Sequence, residues 1–581
     1  MGHGRRRGWA ATALGAAALG MGALSFAAGA RLAAGGAGGG AGAGPWPRQG
    51  PSLRDGGNVY PVYPGGRVSV HDFGALGDGE TDDTGAIQAA LDYAGQLGGA
   101  AVDLGLGRFR VDGALTVPQD VSLEGLGRGM GGDHVWGRDT WRPGDPELFH
   151  SVGKKSVLLA FGGRGDADGA ALISMEANSV VTGLTILYPE QRPLETPVAY
   201  PFAVDMCSAA RRKACQTAPS GATAGGEGGA RAPAGGTCCS NNMVSDLELV
   251  NAYQGIRASM APRFYINRVF GQCLYRGVVA EYTFDISRVS DVHMYTYWSS
   301  ADPVLRFQRE HGVGFTFGRN DWLQVTRTYA WSMHTAYLFE ESPDLPPAVQ
   351  GGCANGDFLG LSADFSVRAV RLECTSPTGV SITGGEFTSF QNPSHNGTTE
   401  EPPVQVSSAP EHQGVVKFSN CNFWGPGAYP GSTLPPMHGI VDLRGAPLET
   451  VGFDACNFMQ FNNTNSSESP YLLELAGHGT YSVQGSTFWT SGFAKHVHVG
   501  ASAGMAVVAN NLFSEGPEVT NELKADKLAV SISGNVRFRG GPPGPEHGAW
   551  RRLWERWGER MRLGGGAWDK DKVWAFAKED L

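Results

Sequence analysis

Ten segments of this chain repeat one short pattern, and that pattern limits what the chain can fold into. Each places an apolar residue at an anchor: Val181, Val244, Val269, Val289, Val325, Ile382, Phe418, Phe453, Val483 and Val508. A small residue, Asn or Asp follows two positions later, with Arg327 the exception. Nearly all segments end on an apolar residue three positions further on, and a fainter copy begins at Ser531. Successive anchors lie 63, 25, 20, 36, 57, 36, 35, 30 and 25 residues apart. A fixed motif with elastic spacing predicts stacked coils of one type joined by loops of varying length, each coil touching mainly its neighbours. The units read as strand and bend, with no helical period. The expected fold is an all-β solenoid, a parallel β-helix.

A chain of 581 residues could hold several ordinary domains, but a solenoid grows by adding coils rather than cores. The formal charge is −10, and basic residues gather only near the two ends. That excludes nucleic acid as the main partner. A monomer is expected.

Residues 1–30 read as a signal peptide or a signal anchor. Arg5, Arg6 and Arg7 precede an uncharged stretch from Trp9 to Ala30. Ala28-Gly29-Ala30 suits signal-peptidase cleavage, whereas an uncleaved stretch of this length would attach the chain to a membrane. The protein is therefore expected outside the cell, or in the ER–Golgi lumen or as a type II membrane protein. Residues 31–66 read as a Gly/Ala/Pro-rich linker, 67–540 as the β-helix and 541–581 as an amphipathic helical tail. In that tail Trp550, Leu553, Trp554, Trp557 and Met561 follow a helical period, suited to covering the last coil or lying on a membrane surface. The final KEDL resembles an ER-retention signal with its acidic pair exchanged. Sequons at Asn396, Asn462 and Asn465 agree with secretion.

Nine cysteines fit an oxidising compartment. Cys207, Cys215, Cys238 and Cys239 bracket a Gly/Ala/Ser-rich insert, so at least one disulfide should pin it. Cys421 and Cys456 occupy one repeat position on successive coils and are expected as a ladder of free thiols. No zinc spacing and no calcium-binding acidic cluster is present, and neither metal nor cofactor is expected.

The segment VSVHDFGALGDGETDDTGAIQAALDYAG, from Val68, resembles the opening of the pectate-lyase-like superfamily, in its rhamnogalacturonase- and epimerase-type branch. Its Asp78, Asp82 and Asp83 read as turn and cap residues, and a helix starting near Thr84 would close the first coil with Ile87, Ala90 and Leu91. LTILYPEQ, NAYQGI, FGRNDW, FLGLSADF and CNFWGP extend the resemblance over roughly residues 67–538. It implies a right-handed, secreted, carbohydrate-active β-helix. Of the polygalacturonase signatures only Gly477-His478-Gly479 has a counterpart, and a turn explains it as well as a site does.

Two columns of the repeat carry chemistry. Two residues beyond each anchor stand Gly183, Asp246, Gly271, Asp291, Arg327, Gly384, Asn420, Ala455, Gly485 and Asn510. Gly, Asn and Asp suit a left-handed bend. Asp246 and Asp291, two strands apart, would also suit an inverting pair of carboxyl groups. Four beyond the anchors stand Thr185, Glu248, Cys273, His293, Tyr329, Glu386, Asn422, Asn457 and Thr487, expected to face outward. The candidate catalytic residues are thus Asp291, His293, Asp321 and Glu190. The candidate substrate-binding residues are Arg319, Trp322, Arg327, Tyr297, Trp298 and Gln191, with Glu190 and Gln191 closing the groove or simply capping a turn. Aromatic faces stack on sugars, and Arg binds carboxylates. The expected function is a polysaccharide-active enzyme, first a glycoside hydrolase on a uronic-acid-containing glycan. The alternatives are a lyase or uronate epimerase, or a non-catalytic wall or matrix protein.

Overall fold

In the computed structural model, residues 52–55, 58–61, 66–127, 155–217, 239–342, 352–389, 403–426, 439–461, 471–491, 495–514, 518–523 and 530–537 are described. The leader, the sequons and the C-terminal tail lie outside them. No helix among the described residues is long and apolar enough to cross a membrane.

The repeat becomes a stack of parallel strands. Val68, Val102, Leu123, Val181, Val244, Ile266, Val289, Val325 and Phe358 pair in register from one coil to the next. Ile382, Phe418, Phe453, Val483, Val508 and Ile532 continue the same column. Two expectations are corrected here. Val244 pairs with Ile266, not Val269, so that segment was shifted by three residues. The gap between Val325 and Ile382 holds a further coil, anchored on Phe358.

A second sheet of 13 parallel strands runs from Leu115–Val117 to Val519–Asn521. Its inward residues, such as Ile256, Val278, Phe315, Tyr337 and Val370, form an equivalent column. Between the sheets like side chains stack on like. Phe423, Phe458, Phe488 and Phe513 succeed one another with ring centres 5.1, 4.9 and 4.5 Å apart. Each buried Phe contributes roughly 1.5–3 kcal/mol, so the cost of ordering a coil is met by its neighbours.

The helix Thr84–Gln96 buries Ile87, Ala90 and Leu91 against the first coils, as expected. Asp83 is its N-cap residue, but its carboxylate reaches back to the N–H groups of Leu76 and Gly77 at 2.7 and 3.0 Å. Asp78 and Asp82 accept from the backbone of Thr81 and Thr84. Cys207 and Cys239 form the disulfide predicted at the insert, and Cys215 is also disulfide-bonded. Cys353–Cys374 is a disulfide that the spacing did not reveal. Cys421 and Cys456 are free and buried, as the ladder requires. Cys273 is buried too, not outward, a consequence of the three-residue shift.

Candidate active site

The first arm of each coil ends in one residue with left-handed backbone. The column reads Gly183, Asp246, Arg268, Asp291, Arg327, Gly360, Gly384, Asn420, Ala455, Gly485, Asn510 and Gly534, with φ between 51° and 74°. Four consecutive members carry charges of alternating sign. Arg268 grips Asp246 through two hydrogen bonds of 2.6 Å, and Arg327 grips Asp291 through two of 2.7 Å. Non-glycine residues in this conformation cost about 1 kcal/mol each. The fork-to-fork pairing of Arg with carboxylate offsets part of that strain.

The inverting pair expected of Asp246 and Asp291 is therefore not formed. Arg268, not Gly271, stands between them, and each carboxylate is held by an arginine. Gly271 instead lies at a strand end at φ +146°, where a Cβ would sit 1.9 Å from the carbonyl oxygen of Leu249. Arg327 holds the Asp291 carboxyl below the usual carboxylate range, chiefly through its hydrogen bonds.

Where the charged ladder meets Gly360, the surface opens. A groove of about 680 Å³ is lined by Arg268, Phe270, Asp291, His293, Arg327, Tyr329 and Ser362, among others. The outward column two positions after the bend supplies its wall: Phe270, His293, Tyr329 and Ser362 pair in register. The His293 ring meets Tyr329 edge-on at 4.6 Å and lies 5.7 Å from Tyr297. Burial lowers the His293 pKa, so its imidazole is neutral at pH 7. Burial also raises the phenols: Tyr297 is pushed up to about 12, and Tyr329 is raised as well. Tyr329 donates to Asp364 at 3.1 Å, and burial raises that carboxyl too.

Three sequence candidates thus share one groove: Asp291, His293 and Arg327. Tyr297 packs behind His293. The others do not join them. Trp298 is buried, packed against Leu159, Leu187, Val250 and Leu274. Gln191 is buried and clamps both backbone groups of Val198. Glu190 accepts from the Tyr200 hydroxyl and lies 3.6 Å from Arg164. Arg319, Asp321 and Trp322 stand at the start of the strand Asn320–Trp331, whereas Tyr329 is near its end. Arg319 and Asp321 line a separate cavity that shares no residue with the groove. The single surface expected for Asp291, His293, Arg319 and Asp321 does not exist. Nor do Arg319 and Asp321 form a buried ion pair. Gly477-His478-Gly479 is a packed turn, where a Cβ on Gly477 would lie 2.4 Å from the Tyr481 oxygen.

Sequence reasoning missed Arg268, Phe270, Gly360 and Ser362. Moving the Val269 anchor back to Ile266 exposes the first two. FLGLSADF, which fits the repeat with Gly360 at the bend, supplies the others. Among the described residues no group of three or more His, Cys, Asp or Glu is arranged to hold a metal.

Residues 67–132 match the family described as rhamnogalacturonase A/epimerase, pectate lyase-like. This is the branch the opening segment resembles, and the match covers the cap helix and first coils but none of the groove residues. Over 68 residues the chain is 52% identical to mannuronan C5-epimerase AlgE3 of Azotobacter vinelandii, covering 10% of this chain and 4% of that protein. Alginate lyase 7 of the same organism is 50% identical over 68 residues, covering 10% and 8%. The matched segment is thus a small part of either relative. Among solved structures, the AlgE6 A-module of A. vinelandii superposes with a TM-score of 0.37 at 14% identity, over 81% of this chain and 100% of that one. DFA-IIIase of Arthrobacter chlorophenolicus A6 superposes with a TM-score of 0.43 at 12% identity, over 82% and 99%.

Proposed function

We propose that this pectate-lyase-like β-helix removes the C5 proton of a uronate residue in an acidic polysaccharide, the step that lyases and C5-epimerases share. One observation carries the reading: a neutral His293 packed on Tyr329, in one groove with Arg327. Neutral imidazole is a base near physiological pH. The C5–H bond lies next to a carboxylate, and its electron pair, once freed, spreads onto that carboxylate. Arg327 has five N–H donors. Asp291 takes two of them, and the rest are available to the developing negative charge.

The proton passes from C5 to the imidazole. In elimination, the electron pair forms a C4=C5 double bond and breaks the C4–O4 bond. The leaving oxygen takes the Tyr329 phenol proton in place of Asp364, and the imidazolium then reprotonates the phenol. In epimerisation, C5 instead takes a proton from solvent water on its other face, and the imidazolium returns its proton to solvent. Hydrolysis, the sequence-based first choice, uses two carboxyl groups. Among the described residues Asp291 is the carboxylate that lines the groove, and Arg327 occupies it. The names of the relatives, mannuronan C5-epimerase and alginate lyase, point to the same substrate class.

The test is incubation with mannuronan and polygalacturonate in D2O. Ultraviolet absorbance reports elimination, and deuterium at C5 reports exchange with solvent. His293→Ala should abolish whichever signal appears. New reducing ends without either signal, or binding with no reaction, would overturn the proposal.

A further inference from the structure

A second cavity, of about 360 Å³, opens at the start of the strand Asn320–Trp331. Phe284, Arg319, Asp321, Cys353, Asn355 and Ser376 help line it, and it shares no residue with the His293 groove. The guanidinium carbon of Arg319 packs on one side of an edge-on pair of rings, 5.1 Å from the centre of Tyr282 and 5.1 Å from that of Phe284. Its backbone N–H donates to Ser342 Oγ at 3.0 Å. No ion pair or hydrogen bond to its guanidinium is formed among the described residues. Gly352 leaves the space this side chain uses, since a Cβ there would lie 3.2 Å from Arg319 Cδ. The disulfide Cys353–Cys374 fixes the adjoining wall.

Next to this cavity stands Trp322. Its side chain is 47% exposed although its backbone is left-handed, at φ 54°. Its N–H is anchored on Asn355 Oδ1 at 2.6 Å. Exposure of an indole and a strained backbone are both unfavourable, so the fold keeps this ring outside at a cost. An arginine packed against rings on one side keeps N–H donors for a carboxylate. An exposed indole three residues on, its backbone anchored on a residue of the cavity wall, suits a sugar ring.

We propose that Arg319 and Trp322 form a second subsite, separate from the His293 groove, which holds a carboxylate-bearing sugar without reacting with it. That the sugar belongs to the substrate rests on the polyuronate reading above. The carboxylate-binding chemistry itself does not.

The experiment titrates the full chain with a hexameric polyuronate and with its carboxyl-reduced, neutral counterpart. Arg319→Gln should weaken binding of the acidic hexamer roughly tenfold or more, the value of losing a charge-assisted pair. Trp322→Ala should weaken both hexamers. Tm should stay unchanged in both variants. Unchanged affinity, or a weakening matched by a fall in Tm, overturns the subsite. The two proposals fail separately. C5 chemistry with normal binding by Arg319→Gln removes the subsite alone. Absent C5 chemistry with binding lost in Arg319→Gln removes the reaction alone.

Discussion

Arg327 and Asp291 occupy the same bend position on adjacent coils, both with left-handed backbone, and are joined by two hydrogen bonds of 2.7 Å. The pair holds the guanidinium over the groove. The Arg327 side chain is 66% exposed, so solvent screening leaves the pair little weight in stability. Asp291→Asn keeps a residue that tolerates the bend. Its Tm should stay within a few degrees of wild type, while KM for polyuronate rises as Arg327 loses its anchor. A large fall in Tm would show that the pair is structural, and differential scanning calorimetry beside steady-state kinetics decides it.

In the proposed reaction His293 is the base, and its titration should set the acid limb of activity. Burial lowers its pKa in the folded protein. The base form therefore persists below the ordinary histidine value of about 6.5. The acid limb of kcat/KM should lie below that pH and disappear in His293→Ala. Stability carries the same sign. Below the unfolded pKa the unfolded chain binds the proton more readily, so this histidine's contribution is complete above about pH 6.5 and falls as pH drops toward the folded pKa. A limb at or above 6.5 would remove His293 as the base.

Tyr329→Phe keeps the ring against His293 and deletes the hydroxyl that meets Asp364. Elimination should fall by roughly 100-fold or more, the usual scale for a positioned proton donor. The stability loss should be only about 1–2 kcal/mol, because Asp364 loses one donor. Retained elimination in this variant would place the acid elsewhere.

Two glycines separate steric need from backbone preference. At Gly384 a Cβ meets nothing within 4 Å, and only φ +64° opposes a side chain. Ala455 already occupies an equivalent position. Gly384→Ala should cost about 1–2 kcal/mol. At Gly271 the Cβ would strike the Leu249 carbonyl, so Gly271→Ala should cost several times more. Equal denaturation midpoints for the two variants would contradict the coil register.

The stack was legible because an apolar anchor returns on every coil and a bend residue follows it. The reading slipped at Val269 because Ile266 and Val269 are both buried. Arg268 also breaks the small-residue rule, while Gly271 imitates it. Asp291, His293 and Arg327 could be brought together because they sit on repeat columns, and columns survive stacking. Trp298, Gln191 and Arg319 lie in loops or at strand starts. There the repeat fixes no direction, so burial and partners had to come from the fold. The pairing that disarms Asp246 was invisible for the same reason that Arg268 was: it depends on register correct to one residue, whereas Arg327 stands beside Asp291 in the repeat itself.

The Cys207–Cys239 bridge has a practical consequence. It closes a chain segment of 32 residues into a covalent ring beside the stack. A protease that cuts once within that ring produces two polypeptides that still migrate as one species until a reductant is added. The strands before and after the cut, Phe202–Asp205 and Met243–Leu249, remain covalently tethered. A preparation nicked there would pass for intact on a non-reducing gel.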